Sequence, residues 1–307
     1  MSSEPKDVGA RGRGKLWLVA VAAAAIVAHL PALRNAWTLD DTLLLVGNPY
    51  LRSVSGLVTM LHNELFATSA APRIVPYYRP VTAALYWLSY QLLGTSTVLQ
   101  HLLNLLMHAG SCVLFVRAAI ALGLGRPAAI GAGLVLAVHP ATADIVAYIG
   151  GRQDLLGWMF VWLAVAGVVR ARTWPAIAAW TFGGVLAATL TREFFGAAAV
   201  LLVLAAAWRP PASRRHDLTT AAASGSAALL TVVGLRELFD IAPFVNEGVS
   251  VADAPGAAAG VALRLLRDVL WPTDLSVDVT IRPYPLPVGV IVAAALLGAA
   301  GLLVRLA

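Results

Sequence analysis

The sequence predicts an all-α, polytopic membrane protein: a transmembrane helical bundle of about eight spans, with further helices lying in the interface. Three observations carry this expectation. The 307 residues are 59% hydrophobic and only 12% charged, with a mean hydropathy of +0.78, and buried helices of soluble proteins rarely follow one another with so little charge. Long Ala/Leu/Val runs alternate with short polar stretches. Lys and Arg collect in every second one of those stretches, as cytoplasmic loops do. No tandem repeat, low-complexity segment or soluble domain interrupts the pattern, so residues 1–307 read as a single membrane domain.

Taken in order, the first run is Leu16 to Leu33. Arg11, Arg13 and Lys15 precede it, and His29-Leu30-Pro31 lacks a small-x-small cleavage site, so it is expected to stay as a signal anchor behind a cytoplasmic tail, residues 1–15. A long polar loop, residues 34–97, follows. It contains Trp37-Thr38-Leu39-Asp40-Asp41-Thr42 and then Asn48-Pro49. Adjacent carboxylates repel, which raises one pKa unless a cation or metal is shared, and that suits a general base or a metal ligand. A helix N-cap is the other reading of the same residues.

Further along the loop, Pro76-Tyr77-Tyr78-Arg79-Pro80 opens the stretch Pro80 to Leu93. At about 14 residues this stretch is too short to span and is expected to lie in the interface. Its N-terminus, with Arg79 and the Tyr78 hydroxyl beside it, is a phosphate seat by chemistry; aromatic and Arg anchoring at the lipid surface is the alternative. The second span, Val98 to Ile120, carries His101, Asn104 and His108 along one face, where hydrogen bonding to a neighbouring helix is the favoured reading over a substrate groove.

The third run, Pro127 to Pro140, leads into His139-Pro140-Ala141-Thr142-Ala143-Asp144 and on through Tyr148 to Gly150-Gly151-Arg152-Gln153-Asp154. Asp144 and Tyr148 share a face of a short helix, the glycines end it, and Arg152 and Asp154 begin the next. A salt bridge from Arg152 to Asp154 or Asp144 is the structural alternative to a pocket. The remaining runs are Leu155 to Val169, Trp174 to Leu190, Phe194 to Trp208, Leu218 to Leu235 and Pro287 to Leu306. Glu193 opens the sixth, where an acid also suits a helix N-terminus. A second long outer loop, residues 236–286, holds an interfacial stretch, Ala257 to Leu270, and the polar segment Trp271 to Asp278.

Charge orients the chain. With a cytoplasmic N-terminus, one face receives Lys6, Arg11, Arg13, Lys15, Arg117, Arg126, Arg170, Arg172, Arg209, Arg214, Arg215 and Arg305 against only Glu4, Asp7 and Asp217. The opposite, periplasmic or extracellular face receives Asp40, Asp41, Asp144, Asp154 and Glu193. Ionisable groups near lipid are costly, so acids gathered at one face suggest a reaction centre. The basic residues form no stripe, which argues against nucleic acid as a partner despite a pI near 9.9. One cysteine, Cys112, excludes an intramolecular disulfide and a Cys-based metal cluster. No GxSxG, P-loop or HExxH is present, so hydrolase, ATPase and zincin chemistry have no support.

In their order, Asp-Asp with Asn-Pro, Tyr-Arg-Pro, His-Pro followed by an acid and Gly-Arg-x-Asp, and Thr-Arg-Glu resemble the membrane portion of the transmembrane and tetratricopeptide-repeat O-mannosyltransferases, within the GT-C class of glycosyltransferases. The resemblance covers roughly residues 37–199, and more weakly 271–278. It implies a GT-C-like membrane enzyme that moves a sugar, mannose in the family, from a polyprenyl-phosphate donor to an acceptor hydroxyl on the non-cytoplasmic face, with inversion. It implies Asp40 as catalytic base with Asp41 beside it, and a substrate role for Tyr78, Arg79, His139, Asp144, Arg152, Asp154 and Glu193. A divalent metal held by Asp40, Asp41 and Asp144 stays open as a cofactor. The chain departs from the family in lacking tetratricopeptide repeats, which leaves a protein acceptor in doubt, and in an expected span count lower than that of the eukaryotic members; at Glu193 it reads Thr-Arg-Glu where the family more often has Ser-Lys-Glu. Two rivals are a transporter or flippase of lipid-linked sugars, which would need charges along a path through the membrane, and a non-catalytic membrane scaffold.

Overall fold

Backbone N–H and C=O groups find no water in hydrocarbon and must pair within their own segment, so apolar runs of this length become helices. A computed structural model describes residues 16–38, 40–72, 76–209 and 214–241, with Leu263 and Arg267. The tail, the Pro287 to Leu306 run, the Trp271 to Asp278 segment and all but two residues of Ala257 to Leu270 lie outside the described residues. The described residues form helices and turns, with no strand among them.

The helices are α1 (Leu16–His29), α2 (Val54–His62), α3 (Pro80–Leu93), α4 (Thr97–Ala121), α5 (Arg126–Val138), α6 (Ala143–Ala147), α7 (Arg152–Arg170), α8 (Trp174–Thr191), α9 (Ala198–Ala207) and α10 (Arg214–Leu238). Their starts follow from sequence chemistry. Ser53 caps α2 by accepting the Gly56 N–H, Ser96 caps α4 by accepting the Leu99 N–H, and proline occupies the first turn of α3, α5 and α8. Gly94, at φ +54°, ends α3 in a conformation other residues resist and turns the chain into α4.

Among the described residues, five helical segments are long and apolar enough to cross a membrane: Leu16–Arg34, Thr97–Ala121, Ile149–Arg170, Trp174–Thr191 and Arg214–Leu238. A sixth is formed if α5 and Pro140–Ala147, bent by 57° at the His139-Pro140 break, count as one. The expected run Phe194 to Trp208 is a shorter apolar helix, Glu193–Ala207. Thus seven of the eight expected runs are helical here, and the eighth lies outside the described residues. α3 has 14 residues and is not among the spanning helices.

Helix α7 is central, packing on α4 on one side and α8 on the other, with α10 against α8 and α9. Val161, Ala164, Val165, Val168, Ile177, Val185, Leu202 and Ala228 form the largest buried cluster between them. A second cluster, including Val21, Cys112, Val116 and Ala129, joins α1, α4 and α5. Leu16, Val27, Val135, Val200 and Leu230 are exposed on the outside, as lipid-facing side chains are. The third cluster lies in the first long loop. Leu44, Leu45, Leu51, Met60, Leu65, Phe66 and Tyr86 pack there with Ile149, which brings the loop onto the turn before α7.

Candidate active site

At one end of the bundle, the loop after α1, the start of α3, the turn between α5 and α7, and the end of α8 meet. Asp41 makes the first junction. It precedes a π-helical turn, Thr42–Val46, but its side chain does not cap that turn. One carboxylate oxygen accepts the Thr38 N–H at 3.3 Å and the other the Gly150 N–H at 2.9 Å, across 109 positions of sequence. Asp41 is only 1% exposed. Burial pushes its pKa up to about 6, and the Thr38 and Gly150 N–H groups and the Arg152 charge oppose that rise without overcoming it. Gly150 is required here because a Cβ would strike the Tyr148 ring.

Asp40 is half-buried and stands apart from this clamp. Its carbonyl accepts the Leu43 and Leu44 N–H groups, which fixes its backbone at the head of the turn. Tyr148 faces the pair. Its hydroxyl lies against the Asp40 backbone, and burial, then the charges of Asp40 and Asp41, raise its pKa. The Asn48-Pro49 motif is structural: Asn48 donates to the Leu44 carbonyl and accepts the Tyr50 N–H, closing the turn.

Arg79 makes the second junction. From the N-terminus of α3 its Nε donates to Glu193 at 2.8 Å and its Nη1 to Gln153 at 2.9 Å, while its guanidinium lies over the Tyr77 ring at 4.2 Å. Thr82 donates to the Thr191 carbonyl at 2.6 Å, holding α3 to the end of α8. Asp154 pairs with Arg192, not with Arg152. Arg79–Glu193 and Asp154–Arg192 are thus two ion pairs, each with one partner in the consecutive residues Arg192 and Glu193.

Other expected site residues occupy different places. Arg152 is 0% exposed and donates to Asn104 and the Ile149 carbonyl (both 3.2 Å), Ser89 (2.9 Å), and the side chain and carbonyl of Gln100 (2.8 and 3.2 Å). A guanidinium enclosed by protein acceptors holds the end of α7 to α3 and α4; it presents no face to a donor phosphate. The Tyr78 hydroxyl donates to the Leu61 carbonyl at 3.2 Å, and the residue is 3% exposed. His139 accepts the Ala141 N–H and starts the Pro140–Thr142 turn. Asp144 is exposed in the first turn of α6. The His101, Asn104 and His108 line is buried, with Asn104 donating to the Tyr148 carbonyl at 2.8 Å and His108 paired with the Ala137 carbonyl at 3.2 Å.

A shared metal does not fit Asp40, Asp41 and Asp144. Both Asp41 oxygens already accept backbone N–H groups, Asp144 lies on the exposed side of α6, and no three His, Cys, Asp or Glu side chains converge among the described residues. Gln153, Arg192, Gln100 and Ser89 were missed as site-building residues. Only Arg192 carried a sequence signal, a cation beside an acid at a helix end; the polar neutral residues look alike wherever they occur.

Comparison with known proteins finds similar sequences. The chain is 29% identical over 178 residues to protein O-mannosyl-transferase F38B6.6 of Caenorhabditis elegans, covering 55% of this chain and 25% of that protein. It is 30% identical over 161 residues to human protein O-mannosyl-transferase TMTC3, covering 50% and 17%. With Drosophila melanogaster Tmtc1 the identity is 27% over 180 residues, covering 57% and 21%. Over about half its length the chain is similar to protein O-mannosyl-transferases. It spans a quarter or less of the length of these relatives. No family model matches, and no solved structure matches.

Proposed function

We propose that this chain is a GT-C-like integral membrane glycosyltransferase that moves a sugar, mannose by analogy with its relatives, from a polyprenyl-phosphate donor to an acceptor hydroxyl on the non-cytoplasmic face, with inversion. The observation that carries the reading is the unequal environment of the paired acids. Asp41 is sealed and spends both oxygens on backbone N–H groups, whereas Asp40 is held at the head of the same turn with partial access to solvent. One acid builds the site and the other is free to act in it.

An acceptor hydroxyl is far too weak an acid to ionise at neutral pH. Asp40 takes its proton as the oxygen attacks the anomeric carbon and the bond from that carbon to the phosphate oxygen breaks, a contribution of about 10²–10⁴-fold for a well-placed base. The leaving lipid phosphate carries the displaced electron pair. Arg79 spends two of its N–H donors on Glu193 and Gln153, so the rest of the fork remains for phosphate oxygens. Glu193 and Gln153 keep that cation oriented, and Arg192 supplies a second, more exposed one. Arg152 and Asp41 act as positioning residues beneath the turn that carries Tyr148.

The test is transfer of labelled mannose from a polyprenyl-phosphate donor to peptide or glycan acceptors by the full chain in proteoliposomes. Asp40→Asn should lower turnover by at least about 10²-fold while donor binding persists. Full activity of Asp40→Asn would reject a base at this position and return weight to the scaffold and transporter readings.

A further inference from the structure

At the bundle end opposite the acids, α7 finishes at Arg170, α8 begins at Trp174 and α10 begins at Arg214. An open cleft of about 590 Å³ lies among these ends, lined in part by Arg172, Trp174, Arg209, His216 and Asp217. Its base is internally neutral. Arg209 Nε pairs with Asp217 at 2.8 Å, and Arg209 Nη1 donates to the carbonyls of Val168, Val169 and Ala171, satisfying the last turn of α7. The acid of the cleft is thus spent on its own arginine.

The walls are different. Arg172 and His216 are exposed, and Arg172 has no ion-pair partner among the described residues. α8 and α10 both start here, so two helix N-termini add partial positive charge. Trp174 is 60% exposed and meets the His216 ring edge-on at 6.5 Å. Exposed tryptophan at a helix end sits at the level of lipid head groups. A cleft walled by an exposed arginine, an exposed histidine and an exposed indole differs from basic residues merely scattered along a loop.

We propose that this cleft seats the phosphate of an anionic phospholipid head group, with Arg172 and His216 contacting the phosphate and Trp174 lying against the glycerol and upper acyl region. The proposal stands independently of the glycosyltransferase reading, since no residue is shared between the two ends.

Native mass spectrometry of the full chain, released from mixed phosphatidylcholine and phosphatidylglycerol bilayers, reads retained lipid directly. The wild type should retain phosphatidylglycerol in preference to phosphatidylcholine. The double variant Arg172→Gln/His216→Asn, at exposed positions that leave the Arg209 cap intact, should lose that retention by about five-fold or more. Arg117→Gln, an exposed arginine at the same end but outside the cleft, should leave it unchanged. Equal loss in Arg117→Gln would show diffuse attraction and overturn the site, as would undiminished retention in the double variant. If inorganic phosphate alone stabilises the wild type through Arg172 and His216 while no lipid preference is seen, the occupant is a free anion and the lipid proposal fails.

Discussion

Asp41 keeps its carboxyl where ionisation is costly, and its pH dependence follows from that. Its folded pKa of about 6 lies above the ordinary value of 3.8 because burial penalises the charged form. Between those values the native state binds more protons than the unfolded state, so this group's contribution to stability falls as pH rises from about 4 to about 6. Relative to Asp41→Asn, which cannot titrate, the wild type should therefore gain stability on acidification from pH 7 to pH 4, on the order of 2–3 kcal/mol. Thermal unfolding in detergent across that range checks it, and parallel profiles for the two proteins would contradict the burial argument. Arg152 makes the second prediction at this scale. Arg152→Ala leaves Asn104, Gln100, Ser89 and the Ile149 carbonyl facing an emptied site, a loss of about 1–3 kcal/mol for each buried acceptor left without a donor. Arg152→Lys should recover little, because an ammonium cannot span acceptors placed for a planar fork. Measured melting temperatures close to wild type for both variants would remove Arg152 from the framework.

Elements meet closely where glycine permits it. Gly157 on α7 lies against the Phe195 ring, and a Cβ there would collide with it. Phe195 belongs to the turn Glu193–Ala197, whose first residue holds Arg79. Gly157→Ala should cost about 1–3 kcal/mol through overpacking, and it should lower transfer further by moving Glu193 away from Arg79. Unchanged turnover together with the expected loss of stability would show that this turn is not coupled to the reaction. The starts of α3, α4 and α8 were legible in the sequence, since the apolar runs opening at Pro80, Val98 and Trp174 place each within one residue of where the helix begins. The Asp41 side chain was less so. Both capping and catalysis suit an acid before a helical turn, and the Gly150 N–H that claims it comes from 109 positions away.

For the whole molecule, orientation is the remaining prediction. Cysteine substituted at Asn63, exposed at the end of α2, should react with an impermeant reagent from outside intact cells, and cysteine at Ala212 only after permeabilisation. The reverse pattern would place the acids in the cytoplasm and remove the reading of a glycosyltransferase with its site on the non-cytoplasmic face. The sequence by itself determined the all-α membrane class, the order of the helices and the gathering of acids at one end and basic residues at the other. Hydrocarbon dictates these directly, through apolar run length and the cost of moving charge across the bilayer. Only the tertiary structure decided which charges meet. Asp154 took Arg192, Arg79 took Glu193, and Arg152 was enclosed by neutral side chains. Such pairings depend on helix rotation and packing depth, which the spacing of residues along one helix leaves undetermined, and so does the Gly150 N–H that seals Asp41 apart from Asp40.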